Sequence, residues 1–409
     1  MQKRRIYQHN PRPAVRIIID SLQIGGAETH LSRILPPLVK KGIEIEVITL
    51  SEAKINQLSA QLHKHGIKVT HLYWPQKFNV LPKPIAKIVK LTLSSMQIIK
   101  SFIQDRHTIT HFFLPRSYLL GMSLATLTRL PAPKIMSRRS LNHYQKKRPL
   151  ARYFETKFHK KTNVILANSQ AICNQLHEEE QVAKDKIKLI YNGIEIPQKT
   201  QTAPYTLHKA LNLAKDTFII TIVANLIPYK GHADLLHACH LFNKQHDINW
   251  ALLIVGRDDG IGTELKQLAN KYNISEKVKF LGARADVPNI LMDSNLGVLC
   301  SHQEGFSNAI LEAMIYKLPM VVTDVGGNAE AIQNNKCGLV VPPQDPIALS
   351  DAILNMYNNP TQATAFATSA YERVTTCFSQ VKCVEQYESV YEKLISNSIN
   401  KKVQTHEFN

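Results

Sequence analysis

The sequence predicts an α/β protein made of two doubly wound domains, and three observations carry that expectation. At 409 residues the chain exceeds the usual size of a single core, so two domains of roughly 200 residues are the natural division. Short continuous apolar runs alternate with amphipathic segments, the pattern of parallel strands buried on both faces and joined by crossover helices. The alternation breaks once, at residues 197–216 (PQKTQTAPYTLHKALNLAKD), where Pro, Thr and Gln interrupt it before a second series begins.

In the first series VRIIID (15–20) is a buried strand, THLSRILPPLVKKG a helix with a glycine stop despite its proline pair, and IEIEVITL the next strand. IKVTHLY, TITHFFL, KIMS, NVILANS and KIKLIYN continue the rhythm. The second series reads FIITIVAN, WALLIVG, KVKFLG, LGVLCS, PMVVTD and CGLVVPP, interleaved with helical patterns such as ADLLHACHLFNKQ and PIALSDAILNMYNN. The expected layout is a basic tail over 1–14, one domain over 15–198, a second over 199–380, and a C-terminal helix and tail over 381–409 that packs back toward the first. Ligands of such sheets bind beyond the C-terminal ends of the strands, so the cleft between the two sheets is the expected site.

The net charge of +18 is one-sided: residues 1–200 hold 33 Lys and Arg against 12 Asp and Glu, and the remainder hold 17 against 20. A basic half-molecule attracts nucleic acid, an anionic membrane surface or a phosphorylated substrate. Two segments concentrate the charge, 133–161 (PKIMSRRSLNHYQKKRPLARYFETKFHKK) and 82–106 (PKPIAKIVKLTLSSMQIIKSFIQDR), the latter an amphipathic helix suited either to a membrane surface or to a half-buried position. No zinc, helix-turn-helix or RNP pattern accompanies them, which disfavours nucleic acid. The six cysteines lack C-x-x-C spacing and read as reduced, buried thiols in a cytosolic setting. No signal peptide and no apolar run of membrane-spanning length is expected.

Four stretches carry candidate chemistry. Gly25 and Gly26 precede a helix, where backbone can approach an anion, although a plain tight turn has the same composition; the motif is not G-x-G-x-x-G, so a nicotinamide cofactor is disfavoured. FIITIVANLIPYKGH sets Asn225, Tyr229 and Lys230 beyond a buried strand, where an ammonium meets a phosphate or simply solvent. LLIVGRDDG and KVKFLGAR end at Gly256, Arg257 and Gly282, at strand ends facing the same crevice. In EGFSNAILEAM (304–314), Ser307 or Asn308 caps a helix, so Glu304 falls in a loop and Glu312 in the second turn; ionised carboxylates accept well from paired sugar hydroxyls.

Read in order, these stretches resemble the family 4 glycosyltransferases. The markers are GGAE (25–28), YNGI (191–194), IPYKGH (227–232), and EGFSNAILEAM followed by LPMVVTDVGG (304–327), and the resemblance spans nearly the whole chain. It implies the GT-B fold of two facing Rossmann-like domains and a retaining transfer from a nucleoside diphosphate sugar, such as a UDP-sugar, to a glycan or lipid-linked acceptor. By position, Glu304 would hold hydroxyls of the donor sugar, Glu312 the ribose, and Lys230 the diphosphate, with Gly25 and Gly26 approaching it from the other domain. Gly305, Phe306, Ser307 and Asn308 would contact sugar and phosphate, and Asn225, Gly256, Arg257 and Gly282 would complete the donor site. Arg138 and Arg139 would join Glu304 and Lys230 in catalysis, and His111, Arg116 and Asn142 would meet the acceptor.

The chain departs from the family at two places. Many relatives have Gly-Arg where Ala224-Asn225 stands, and a histidine at strand ends occupied by HFFLP and MSRRS. With no Asp-x-Asp in the chain, neither a metal nor another cofactor is expected; Lys230 and neighbouring donors would offset the leaving-group charge. The expected setting is the cytoplasmic face of a membrane, bound peripherally through the basic half, in assembly of a surface glycan such as lipopolysaccharide, capsule or exopolysaccharide. A sugar-nucleotide epimerase and a catalytically silent scaffold of the same fold are the alternatives.

Overall fold

The apolar runs form two parallel sheets in the computed structural model, which describes residues 14–23, 25–52, 57–75, 78, 80–146, 148–197, 206–245 and 248–406. The basic tail before Ala14, the junction residues 198–205 and Lys147 lie outside the described residues. The first sheet comprises β1 (Ala14–Ile19), β2 (Glu44–Glu52), β3 (Lys68–Leu72), β4 (Ile109–Phe113), β5 (Lys134–Arg138), β6 (Val164–Ala167) and β7 (Ile187–Leu189), in the order β3-β2-β1-β4-β5-β6-β7. The second comprises β8 (Phe218–Val223), β9 (Trp250–Val255), β10 (Val278–Gly282), β11 (Leu296–Leu299), β12 (Met320–Thr323) and β13 (Leu339–Val341), in the order β10-β9-β8-β11-β12-β13. Each order reverses beside its first strand, at β1/β4 and β8/β11, and a doubly wound sheet opens its ligand crevice at that point. The loops that follow those four strands therefore position the site.

The strands are buried on both faces, as their unbroken apolar runs require: Ile17, Ile18 and Ile19 are all fully enclosed. Helix Gly26–Lys40 runs through Pro36 and Pro37 without ending. Pro37 has no N–H, which frees the Arg33 carbonyl one turn earlier, and the Gln380 side-chain amide donates to that carbonyl. Gln380 opens the C-terminal helix Gln380–His406, whose Cys383, Val384, Tyr387, Tyr391 and Leu394 complete the core of the first domain.

Two chain crossings join the domains side by side. Ile194 N–H donates to the Phe378 carbonyl at 2.9 Å, and Gln380 N–H to the Ile194 carbonyl at 2.8 Å. Between them Gly193 has no room for a side chain, because a Cβ would lie 2.6 Å from Cys383 Cβ and 2.8 Å from Gln380 Cα. The glycine of YNGI is thus a packing requirement of the crossover. None of the six cysteines is paired in a disulfide, and all but Cys377 are buried.

His111 lies in the middle of β4, fully enclosed; its Nδ1 bonds the Tyr391 hydroxyl at 2.9 Å and its Nε2 the Ser137 hydroxyl at 2.8 Å. Burial, with the nearby Arg139 charge, pulls its pKa down from 6.5 to about 3. Between those values the unfolded chain binds a proton that the folded chain does not, so the contribution is complete above pH 6.5 and declines as the pH falls through the window. His111 alone is expected to remove about 2 kcal/mol of stability on going from pH 7.5 to 5. Urea midpoints across that range should show a shallower pH slope in His111→Phe, whatever its baseline stability.

Candidate functional site

The strand ends of the two sheets face each other across a cleft of about 650 Å³. On the first-domain side, the loop after β1 delivers Gly25 and Gly26 to the start of helix Gly26–Lys40. Gly26 faces open space, whereas a Cβ on Gly25 would meet Glu28 Oε2 at 2.5 Å. The Glu28 carboxyl folds over this loop; burial pushes its pKa up, against the opposing pull of its own backbone N–H and of Arg139. Leu114, after β4, adopts a left-handed φ of 72° at the edge of the cleft, a conformation that a non-glycine residue takes only under local constraint.

At the end of β5 the two arginines part company, since neighbouring residues of a strand point to opposite faces. Arg139 lines the cleft and its guanidinium donates to Asn192 Oδ1 at 2.6 Å. Arg138 does not: it turns into the core, pairs with Glu155 at 2.7 Å and with Glu180, and is only 1% exposed. The same buried cluster holds His159, 2.8 Å from Glu180, and Tyr144, whose hydroxyl donates to Glu155 at 2.7 Å. Glu155, His159 and Glu180 are close enough together to ligate a metal ion, but the Arg138 guanidinium already supplies the cation they share. Arg138 is therefore a support beneath Tyr144, which does line the cleft, and not the catalytic group the resemblance implies.

The three acceptor candidates also miss the cleft. His111 is sealed in mid-strand. Asn142 is buried and faces helix Gln170–Glu178, its backbone N–H donating to Gln175 and its amide to Glu179. Arg116 is exposed, lies 3.7 Å from Asp20, and lines a separate cavity next door.

On the second-domain side, Lys230 ends a tight turn, Pro228–Lys230, closed by Gly231 at φ 75°. A Cβ there would stand 1.9 Å from the Cys300 carbonyl, so only glycine lets the loop lie across the end of β11. Lys230 Nζ reaches Glu304 Oε1 at 2.6 Å, and the Ser301 hydroxyl donates to the same oxygen at 2.9 Å. Asn225 Oδ1 accepts from the Arg257 backbone N–H, while the Arg257 guanidinium forks onto Asp259. Gly256 and Gly282 do not line the cleft: a Cβ on Gly256 would press on the Ala224 carbonyl at 2.0 Å, so its role is close packing of β8 against β9, and Gly282 takes a left-handed φ of 67° at the end of β10.

Helix Asn308–Ile315 starts at the cleft, with Ser307 at its cap position but no side-chain cap bond. Its N–H groups and those of helix Gly26–Lys40, apart from that of Glu28, which bonds its own carboxyl, set the positive ends of two dipoles at the same space, an arrangement that favours an anion. Glu312, one turn further along, pairs with Arg33 of the first domain at 2.7 Å. Gly305, Phe306, Ser307 and Asn308 all line the cleft.

Sequence reasoning passed over Asn192, Glu28 and Tyr144. Asn192 is the crossroads: it accepts from Arg139 and donates to the Phe306 carbonyl and to Asn308 Oδ1, each at 2.9 Å. The YNGI marker was its signal. Gly305 is pressed against the first domain, its Cβ position 2.1 Å from the Arg139 carbonyl, and Gly326 is pressed in turn against the Glu304 carbonyl at 2.1 Å.

Comparison with known proteins places this geometry in context. The family described as Glycosyltransferase Family 4 matches residues 24–197, and that described as Glycosyl transferases group 1 matches residues 205–373. The N-acetyl-alpha-D-glucosaminyl L-malate synthase of Bacillus anthracis is 25% identical over 386 residues, covering 93% of this chain and 97% of that protein. The N-acetylgalactosamine-N,N'-diacetylbacillosaminyl-diphospho-undecaprenol 4-alpha-N-acetylgalactosaminyltransferase of Campylobacter jejuni is 25% identical over 377 residues, with 90% and 96% covered. The crystal structure of Anabaena Alr3699/HepE in complex with UDP shares the fold, with a TM-score of 0.78 at 20% identity over 93% of this chain and 100% of that one.

A methyl at Gly305 would force the facing domains apart. Gly305→Ala is expected to lower turnover of any ligand bridging them by about 100-fold, the usual consequence of a misplacement near 1 Å. A larger radius of gyration in solution scattering should accompany the loss.

Proposed function

The chain belongs to glycosyltransferase family 4 and is a glycosyltransferase of GT-B fold, and on that premise we propose a retaining transfer from a UDP-sugar to a glycan or lipid-linked acceptor, without a metal. The observation that carries this reading is the Lys230–Glu304 pair, seated between two helix N-termini. A cation, two sets of free N–H groups and a carboxylate held for hydroxyls are what a sugar diphosphate requires. The Anabaena neighbour's crystal structure with UDP adds support for the base.

In this mechanism the diphosphate lies between Gly25–Gly26 and the start of helix Asn308–Ile315, and Lys230 turns from Glu304 toward its oxygens. Glu304, oriented by Ser301, accepts from the donor sugar. Glu312, aimed by Arg33, accepts from the ribose. The bond from the anomeric carbon to the diphosphate oxygen breaks as the acceptor oxygen attacks from the same face. The acceptor's proton passes to the departing diphosphate, so no enzyme nucleophile is needed. Charge on the leaving group is met by Lys230 and by Arg139, which takes the place of the second cation lost at Asn225, an interaction stronger in the transition state than in the ground state.

The basic first domain docks this cleft on anionic membrane at the cytoplasmic face, in assembly of a surface glycan. Support comes from exposed Leu150, Tyr153 and Phe154 beside Arg152 and Lys157 on helix Pro149–His159, just past Tyr144. No helix among the described residues is long and apolar enough to cross a membrane.

Lys230→Ala is expected to lower kcat by about 10²–10³-fold. Glu304→Gln should reduce turnover while leaving UDP affinity intact, whereas Glu312→Gln should weaken UDP binding by about tenfold. Thermal shift against a panel of nucleotide sugars identifies the donor, since a ligand at about 100 times its Kd adds about 2.7 kcal/mol; no shift with any of them removes the proposal's main support. Turnover should survive EDTA, and product formed only when an acceptor is present excludes the epimerase. Neutralising Lys146, Lys147 and Arg148 together should weaken binding to vesicles containing phosphatidylglycerol; unchanged binding would sink the docking.

A further inference from the structure

The first half of helix Lys83–Gln104 leaves apolar and basic residues exposed together, Leu91 among them. An ordinary surface helix buries an apolar stripe and exposes its cations. Here Lys83, Ala86, Lys87, Lys90, Leu91 and Ser94, spaced as one helical face, line a cavity of about 490 Å³, while Ile85 and Ile88 on the other side are 48% and 64% exposed. Neither Lys83 nor Lys87 has a carboxylate partner among the described residues, and Lys90 lies 4.5 Å over the Trp74 ring. The deeper walls of the cavity are aliphatic, formed by Leu50, Leu72 and Leu120.

The cavity adjoins the cleft. Asp20, which ends the β1 run, lines the cavity, and Gly25, five residues on, lines the cleft; Leu114 lines the cleft and Arg116 the cavity. Asp20 Oδ1 is enclosed without a hydrogen-bond partner, an acceptor left for a donor such as a sugar hydroxyl. Cations at the rim, aliphatic walls and a free acceptor toward the cleft describe an amphiphile: an anionic head, an apolar chain and a hydroxylated end that reaches the donor.

We propose that this cavity seats the acceptor's phosphate or diphosphate, carried on an apolar chain, with Lys83 and Lys87 on the anion and the aliphatic walls on the first carbons of the chain. The inference rests on the transferase reading, and it places the acceptor's anchor outside the catalytic cleft. A bare surface for membrane phospholipid would need no aliphatic recess behind its cations.

Farnesyl diphosphate is the probe, applied to the full chain and read by calorimetry, with farnesol and inorganic diphosphate as controls. The wild type is expected to bind it at least about tenfold more tightly than either control, also in saturating UDP; Lys83→Gln with Lys87→Gln should weaken binding at least about tenfold. Leu91→Glu, which puts a carboxylate in the cavity, should do the same, with UDP affinity and thermal midpoint unchanged in both variants. Equal binding of farnesyl and inorganic diphosphate, displacement by UDP, or indifference to the lysine changes would overturn the proposal. So would equal competition by phosphatidylglycerol–phosphatidylcholine vesicles at matched phosphate, which would assign the lysines to the membrane surface. Failure of UDP to bind the wild type would overturn the transferase reading alone, because the farnesyl diphosphate arms decide this site independently.

Discussion

The backbone contact between Gly305 and the Arg139 carbonyl sets the distance between the two domains, and the cleft takes its dimensions from it. It is backed by a second layer, in which Gly326 and Gly327 lie against the Glu304 and Gly305 carbonyls and Gly327 N–H donates to Gly305 at 2.8 Å. Asn192 bonds both sides at once, and Glu330 of the second domain receives the free N–H groups of Gln170 and Ala171 at the start of a first-domain helix. A carboxylate at a helix N-terminus satisfies orphan donors and the dipole together. Small residues at the contact, charged bonds around it and the packing of Tyr191 and Ile194 on Phe306 and Phe378 give a close, defined apposition.

Within that frame the cleft keeps its charges paired. Lys230 holds Glu304, Arg257 holds Asp259, and at the edge Arg33 holds Glu312. An anionic ligand that draws Lys230 away leaves the Glu304 carboxylate to neutral donors, the Ser301 hydroxyl and those the ligand brings. Arg139 differs: its partners Asn192 and Tyr387 are neutral, and the carboxyl of Glu28, whose charge it feels, is itself held toward the neutral form by burial. It is the cation with most to gain from an incoming anion.

Much of this was legible in the sequence, and each exception has its own physical cause. The two series of apolar runs gave the sheets, and EGFSNAILEAM divided as read, with Glu304 in the loop and Glu312 in the helix. In the first domain, strands buried on both faces lack the polar alternation that tells one face from the other, so Arg138 and Arg139 could not be separated by pattern. His111 failed because a strand residue two positions from the end is still core, and Gly256 because a glycine required for packing has the same letter as one that admits a ligand. Asn192 escapes the pattern because its partners Arg139, Asn168, Phe306 and Asn308 lie far away along the chain.

The Gln380 bond to the Arg33 carbonyl, and the five core residues that follow it, bear on the order in which the chain is made. Helix Gly26–Lys40 emerges early from the ribosome with a carbonyl its own prolines leave open, and the group that closes it arrives about 350 residues later, roughly half a minute at ordinary synthesis rates. Until then the first sheet carries an uncovered apolar face, a target for chaperones. Completion of the first domain thus waits on synthesis of the second, and two domains that look independent in section acquire their final packing in a single late step.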